Sequence, residues 1–148
     1  MKALLQRVQE ARVTIAGDCV AEIGPGLLVF LGLDRGDDDA CGERMIEKLL
    51  AYRVFSDDQG RMNQNVQEVG GGVLLVSQFT LSADTGKGLR PGFSSALPPA
   101  EAELLYQRVL AMLQQRHSPV AAGVFAADMQ VSLVNDGPVT FLLQLAPR

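Results

Sequence analysis

This 148-residue chain holds few of the side chains that usually carry catalysis: one histidine, His117, and two cysteines, Cys19 and Cys41. The cysteines have no CxxC spacing, so with a lone histidine they argue against a zinc site, and two are too few for a disulfide framework. Both thiols are expected as small, partly buried hydrophobes. A single histidine allows one Ser-His pair at most. His117 follows the polar helix-end stretch Gln114-Gln115-Arg116, where a solvated ring is expected. Basic excess is lacking as well. The net charge is -4 and the pI about 4.9, which argues against an extended nucleic-acid groove. Any nucleic acid bound here is gripped over a small area. No apolar run approaches the ~20 residues of a membrane span, and the N-terminus has no secretory-signal pattern. A cytoplasmic protein without membrane contact is the expectation.

A chain of this length suits one domain, residues 1–148, and its 47% hydrophobic content can supply a substantial core. Residues 2–8 and 11–16 alternate weakly and predict two strands with a turn near Gln9-Glu10. Ala16-Gly17-Asp18 predicts a hairpin corner into a strand near 19–23. Leu27 through Leu33 is apolar enough for a strand buried on both faces. Cys41, Met45, Ile46, Leu49 and Leu50 recur at helical spacing over 38–51. The preceding acids, Asp34, Asp37, Asp38 and Asp39, read as a turn and helix start, with Asp38 or Asp39 capping the first free amides. A short strand is expected at 53–55, a turn at 57–60, and a flexible Gly70-Gly71-Gly72 lead into a strand over 73–80. Residues 82–97 form the longest irregular stretch, a length usually found in functional or mobile loops. Pro98-Pro99 opens a helix to about 116, with Ala102, Leu105, Val109 and Met112 on one face. Two last strands are expected at about 124–134 and 139–146. The fold class read from this order is α+β: a single domain with a mainly antiparallel, barrel-like sheet and two helices.

Two segments stand out chemically. In Val73-Leu74-Leu75-Val76-Ser77-Gln78-Phe79-Thr80 an apolar strand ends in small polar residues. Consecutive backbone amides there, if unpaired in the sheet, can converge on one oxygen and form an oxyanion hole. A solvated strand end is the plainer alternative. Thr80 as a nucleophile needs an adjacent base or amine, and none is evident. In the second segment, Asn135-Asp136-Gly137-Pro138-Val139-Thr140, glycine removes a side chain and proline a donor, so carbonyl oxygens are presented with little bulk around them. A plain turn between strands is the alternative there.

Ser77-Gln78-Phe79-Thr80 and Asn135-Asp136-Gly137-Pro138-Val139-Thr140 together closely resemble the two signature motifs of the D-aminoacyl-tRNA deacylases. The resemblance extends over essentially the whole chain, including Gln6-Arg7-Val8, Tyr52 through Asp57, Arg90-Pro91 and Phe125 through Val131. It implies a homodimer that hydrolyses the ester between a D-amino acid and the terminal adenosine of tRNA, with no cofactor, no metal and no side-chain nucleophile. It also implies a cis Gly137-Pro138 bond at a corner that enters the partner's active site. Gly137 and Pro138 would then be the chirality filter and Arg7 its support. Ser77, Gln78, Phe79 and Thr80 would form the pocket and oxyanion site, and Phe125 and Met129 would line the adenosine or aminoacyl pocket.

The chemistry of the segments suits that role. A rigid backbone corner can exclude one direction of substituent whatever its identity, and glycine should escape it, so some glycyl-tRNA hydrolysis is expected. The terminal ribose carries a vicinal hydroxyl able to orient water, so two backbone donors and positioning would suffice for an activated ester. Lys87, Arg90 and Arg53 are candidates for the few phosphate contacts, although solvated surface charge is the commoner role of such residues. Three rivals make different demands: an ester hydrolase with Thr80 as nucleophile, a non-enzymatic dimeric interaction module, and a domain that edits an L-residue.

Overall fold

A computed structural model describes residues 1–148. Its path is β1 (Lys2–Ile15), β2 (Asp18–Ile23), β3 (Gly26–Gly32), α1 (Asp39–Ala51), β4 (Phe55–Ser56), β5 (Met62–Gln64), β6 (Gly72–Ser77), a 3-10 turn (Phe79–Ser82), α2 (Pro99–Arg116), β7 (Val120–Ala122) and β8 (Gln130–Gln144). The main sheet has the order β2-β1-β3-β6-β7, with β8 on β1. β1 is antiparallel to β2, β3 and β8, whereas β3-β6 and β6-β7 are parallel. Each parallel pair needs a long crossover, and α1 and α2 lie in the two crossovers. The sheet curls until β2 meets β6 and β7, which gives the barrel-like shape expected.

Two apolar layers follow from the period of two along β3 and β6. Leu27, Val29 and Leu31 with Val73 and Leu75 join the larger core under the two helices, alongside Met45, Leu49, Leu105 and Tyr106. Leu28, Leu74 and Val76 point the other way, into a smaller core with Val8, Val13 and Ile23. Burying each such aliphatic side chain contributes roughly 1.5–3 kcal/mol. Asp38 caps α1, its carboxylate accepting from the Cys41 amide at 2.9 Å. Asp34 and Asp37 instead hold the Met1 ammonium at 3.3 and 2.9 Å.

Several expectations are corrected. No turn interrupts residues 9–10. β1 is continuous and bulged at Gln9, because Val8 faces Asn135 and Glu10 faces Val134. The inward positions Ala3, Leu5, Val8, Ala11 and Val13 change phase along it, which is why the alternation looked weak. β6 ends at Ser77 rather than 80. Gly71 and Gly72 are not a flexible lead but a buried close approach: a Cβ on Gly26 would lie 2.0 Å from the Gly72 carbonyl oxygen. The final strands are one, β8, running through the Asn-Asp-Gly-Pro segment. On α2 the buried positions are Tyr106 and Leu113 beside Ala102, Leu105 and Val109, and Met112 sits at the margin. His117 is half-buried and its Nε2 lies 2.7 Å from the Gly71 carbonyl oxygen, so it ties α2 to the sheet rather than facing solvent. Cys41 is buried as expected, but Cys19 is exposed.

Candidate functional site

A cavity of about 690 Å³ opens between the C-terminal ends of β3 and β6, the start of α2, and the segment 125–129. Fourteen of its twenty lining residues are hydrophobic, so it suits a flat apolar group better than a hydrated chain. Ser77, Gln78 and Phe79 form one side, and Phe125 and Met129 another. The sequence therefore placed five of its site residues around one cavity. Thr80 stands just outside the lining, and Arg7, Gly137 and Pro138 are absent from it.

The chain leaves the sheet at Ser77 and turns at once into the 3-10 segment. The Gln78 amide still donates to the Leu31 carbonyl at 2.8 Å, and the first bond of the turn is Leu81 N–H to the Gln78 carbonyl at 3.2 Å. The amides of Phe79 and Thr80 fall between these two and receive no partner from the turn. Of the four residues expected to supply donors, Gln78 has spent its amide on the sheet. The Gln78 side-chain amide donates to the Thr80 hydroxyl. No carboxylate, amine or imidazole is hydrogen-bonded to Thr80, so the arrangement offers it no general base.

Loop 82–97, whose length flagged it, is strapped to the body and lines the cavity with Phe93, Ala96 and Leu97. Asp84 and Gly92 exchange backbone bonds at 2.7 and 3.0 Å, the Leu97 amide donates to the Leu33 carbonyl at 2.9 Å, and the Arg35 amide to the Ser95 carbonyl at 2.9 Å. The Ser95 hydroxyl donates to the Ser82 carbonyl at 2.6 Å. Phe93 packs on Phe79 with ring centroids 5.1 Å apart. The floor near Phe125 is fixed from below by Tyr106. Its hydroxyl lies 3.2 Å from the Leu75 carbonyl oxygen and 3.3 Å from that of Gly123, and its ring is 5.8 Å from Phe125. Burial pushes the Tyr106 phenol up to about 12. Two polar residues of the lining, Arg35 and Asp128, escaped the sequence reading. Asp128 lay within a quoted stretch, but nothing in its spacing marked it.

The Gly137-Pro138 segment is built elsewhere and with equal care. Gln6 pairs with Thr140 and Val8 with Asn135, so three extra residues of β8 loop out opposite Arg7. The Gly137-Pro138 peptide bond is cis, and Gly137 has φ +147°. Asn135 clasps the loop: its Oδ1 accepts from the Val139 amide at 2.7 Å, and its Nδ2 donates to the Thr140 hydroxyl at 3.0 Å. Arg7, only 14% exposed, donates from Nε to the Asp136 carbonyl and from Nη1 to the Val54 carbonyl, both at 2.8 Å. Gly137 and Pro138 themselves are exposed. Arg7 pairs with Leu27, and Leu27 with Val73, four residues before Ser77. Three strand spacings and four residues separate the corner from Ser77, roughly 20 Å along the sheet. One chain thus carries both motifs but does not bring them together.

A family model described as D-Tyr-tRNA(Tyr) deacylase matches residues 4–144. The D-aminoacyl-tRNA deacylase of Saccharophagus degradans is 59% identical over 145 residues, covering 98% of this chain and 100% of that one. Its counterpart in Stutzerimonas stutzeri is 58% identical over 144 residues, covering 97% and 99%. Among solved structures, one described as the c-Myc DNA Unwinding Element Binding Protein has a TM-score of 0.95 at 40% identity, covering 99% of both chains. A probable eukaryotic D-amino acid tRNA deacylase has a TM-score of 0.80 at 18% identity, with 96% and 97% covered, and shares the fold.

Proposed function

This chain belongs to the D-Tyr-tRNA(Tyr) deacylase family, and on that premise we propose how its cavity and its Gly137-Pro138 corner divide one reaction between them. The protein is a D-aminoacyl-tRNA deacylase, a hydrolase of the ester that joins the amino acid to tRNA. Translation is its setting, and the cytoplasm is the compartment that setting favours. The observation that carries the reading is the apolar cavity with two unspent amides at its edge. The terminal adenine enters between Phe125 and Met129, and the ester carbonyl comes to lie against the amides of Phe79 and Thr80. Those two donors stabilise the charge that develops on the oxygen as water attacks. Removing one donor of this kind typically costs about 10²–10³ in rate. The vicinal ribose hydroxyl orients the water, so no side chain need become covalently bound.

The chirality filter is the corner of a second copy. Two features favour a partner: the corner stands about 20 Å along the sheet from its own Ser77, and β8 pairs only with β1 over its 15 residues. A long strand edge left open is a template for pairing with another chain, and the exposed Val134 and Leu142 lie on it. The bare carbonyls of the partner's corner hold the substrate ammonium and occupy the space an L side chain needs. Glycyl-tRNA has no side chain to exclude and is hydrolysed as well.

Parallel incubation with D-tyrosyl-tRNA and L-tyrosyl-tRNA tests the assignment. Rapid loss of the D ester alone is expected. Equal loss of both would remove the filter role of Gly137-Pro138, and loss of neither would favour a binding module. Measuring the mass of the protein in solution at working concentration gives the dimer, and a monomer that is fully active would refute the shared site.

A further inference from the structure

The cavity is apolar, yet one cation stands at its rim. Arg35 lies in the most acidic stretch of the chain, Asp34-Arg35-Gly36-Asp37-Asp38-Asp39, and takes none of those carboxylates as a partner. Each acid is committed elsewhere. Asp34 binds Lys2 and the Met1 ammonium, and Asp37 the same ammonium. Asp38 caps α1, and Asp39 pairs with Arg108 at 2.6 Å. Arg35 itself is held by the loop that walls the cavity. Its amide donates to the Ser95 carbonyl at 2.9 Å and its Nε to the Ser94 carbonyl at 2.8 Å. With Nε fixed, the two terminal nitrogens and their four N–H groups stay exposed beside the cavity, a rigid fork of the kind that matches a phosphate.

We infer that Arg35 binds the phosphodiester immediately 5′ of the terminal adenosine, and so makes the enzyme select an aminoacylated RNA end over an aminoacylated nucleoside. The inference rests on the proposed seating of the adenine between Phe125 and Met129. A base buried in the cavity leaves its 5′-phosphate at the mouth, where a guanidinium replaces the water and counterions that phosphate would otherwise keep. Lys87 and Arg90 lie at the exposed tip of loop 82–97, but neither lines the cavity. The acidic charge of the whole chain makes a single well-placed cation more consequential, because it is set against a field that repels RNA.

The test compares wild type with Arg35→Gln and Arg35→Lys on two substrates, D-tyrosyl-tRNA and 3′-O-D-tyrosyl-adenosine, which lacks the phosphate. Arg35→Gln is expected to raise KM for D-tyrosyl-tRNA about tenfold, the scale of one hydrogen bond to a charged group. The penalty on the adenosine ester should be at least fivefold smaller. The dependence of log(1/KM) on log salt should flatten by roughly 0.7 for the RNA substrate, the value of one single-strand phosphate contact. Arg35→Lys, retaining charge without the fork, should recover the salt slope and part of KM. Equal penalties on both substrates would overturn the inference and assign Arg35 to support of loop 94–97. An unchanged KM for the RNA substrate would overturn it outright. If Phe125→Ala leaves KM for the adenosine ester unchanged, the cavity assignment fails instead.

Discussion

Replacing Gly137 by alanine places the largest strain at the smallest chemical change. At φ +147° a side chain is rarely tolerated, and forcing one there costs about 1–3 kcal/mol. The added Cβ would sit 2.6 Å from Val139 Cγ2, 2.9 Å from the Val139 nitrogen and 3.3 Å from Arg7 Nη2. Carbon atoms rest at about 3.5–4.0 Å, so one side of the first contact must retreat by about 1 Å. The Val139 amide cannot give easily, since Asn135 Oδ1 holds it at 2.7 Å, and Arg7 is tied to two carbonyls. The corner therefore moves, and because it is exposed and outside both cores, the fold survives with a loss within a few kcal/mol. A displacement of about 1 Å at a positioning element costs on the order of 10²-fold in rate. Single-turnover hydrolysis of D-tyrosyl-tRNA should fall by about that factor, and the preference for D over L should shrink, while urea denaturation still reports one cooperative transition. A folded Gly137→Ala protein with the wild-type D rate and full exclusion of L would refute the filter.

Two further expectations concern residues on either side of the cavity. Thr80→Ala should retain turnover within about tenfold, because its amide remains and only the hydroxyl contact to Gln78 is lost; a loss beyond roughly 10³, as removal of a nucleophile gives, would support the covalent alternative. Tyr106→Phe should cost about 1 kcal/mol near neutral pH by leaving the Leu75 and Gly123 carbonyls one donor short. Its folded pKa of about 12 lies above the unfolded value of 10.0, so the stability linked to the neutral phenol is complete below pH 10 and is lost as pH rises toward 12. The slope is about 1.4 kcal/mol per pH unit, so the Phe variant should become the more stable of the two within that window. Parallel urea titrations from pH 8 to 12 check the crossing.

The local grammar of the chain was legible where neighbours along the sequence decide the outcome. The helical spacing of Met45, Ile46, Leu49 and Leu50, the Asp38 cap, the doubly buried run of β3 and the two-residue turn at Ala16-Gly17 all depend on contacts within a few residues. That a strand gives way to a polar stretch from Ser77 and that Gly137-Pro138 makes a special backbone corner were legible for the same reason, although the strand stops at Ser77 rather than 80. What failed were features that exist only between strands. Gln9 reads as a turn until Asn135 and Val134 pair on either side of it, and the Asn-Asp-Gly-Pro corner reads as a strand break until one partner, β1, is seen to hold both halves. Gly71 and Gly72 look flexible until β3 is seen against them, with Gly26 so close that its own Cβ would lie 2.0 Å from the Gly72 carbonyl oxygen. Whether the Gln78 amide was available depended on Leu31, 47 residues away in sequence, and Arg35 became a cavity residue only because the Ser94 and Ser95 carbonyls, about sixty residues on, hold it there. Periodicity and capping are short-range and written in the chain itself. Register, the use of each amide and the direction of each charge are long-range, and the tertiary structure alone decides them.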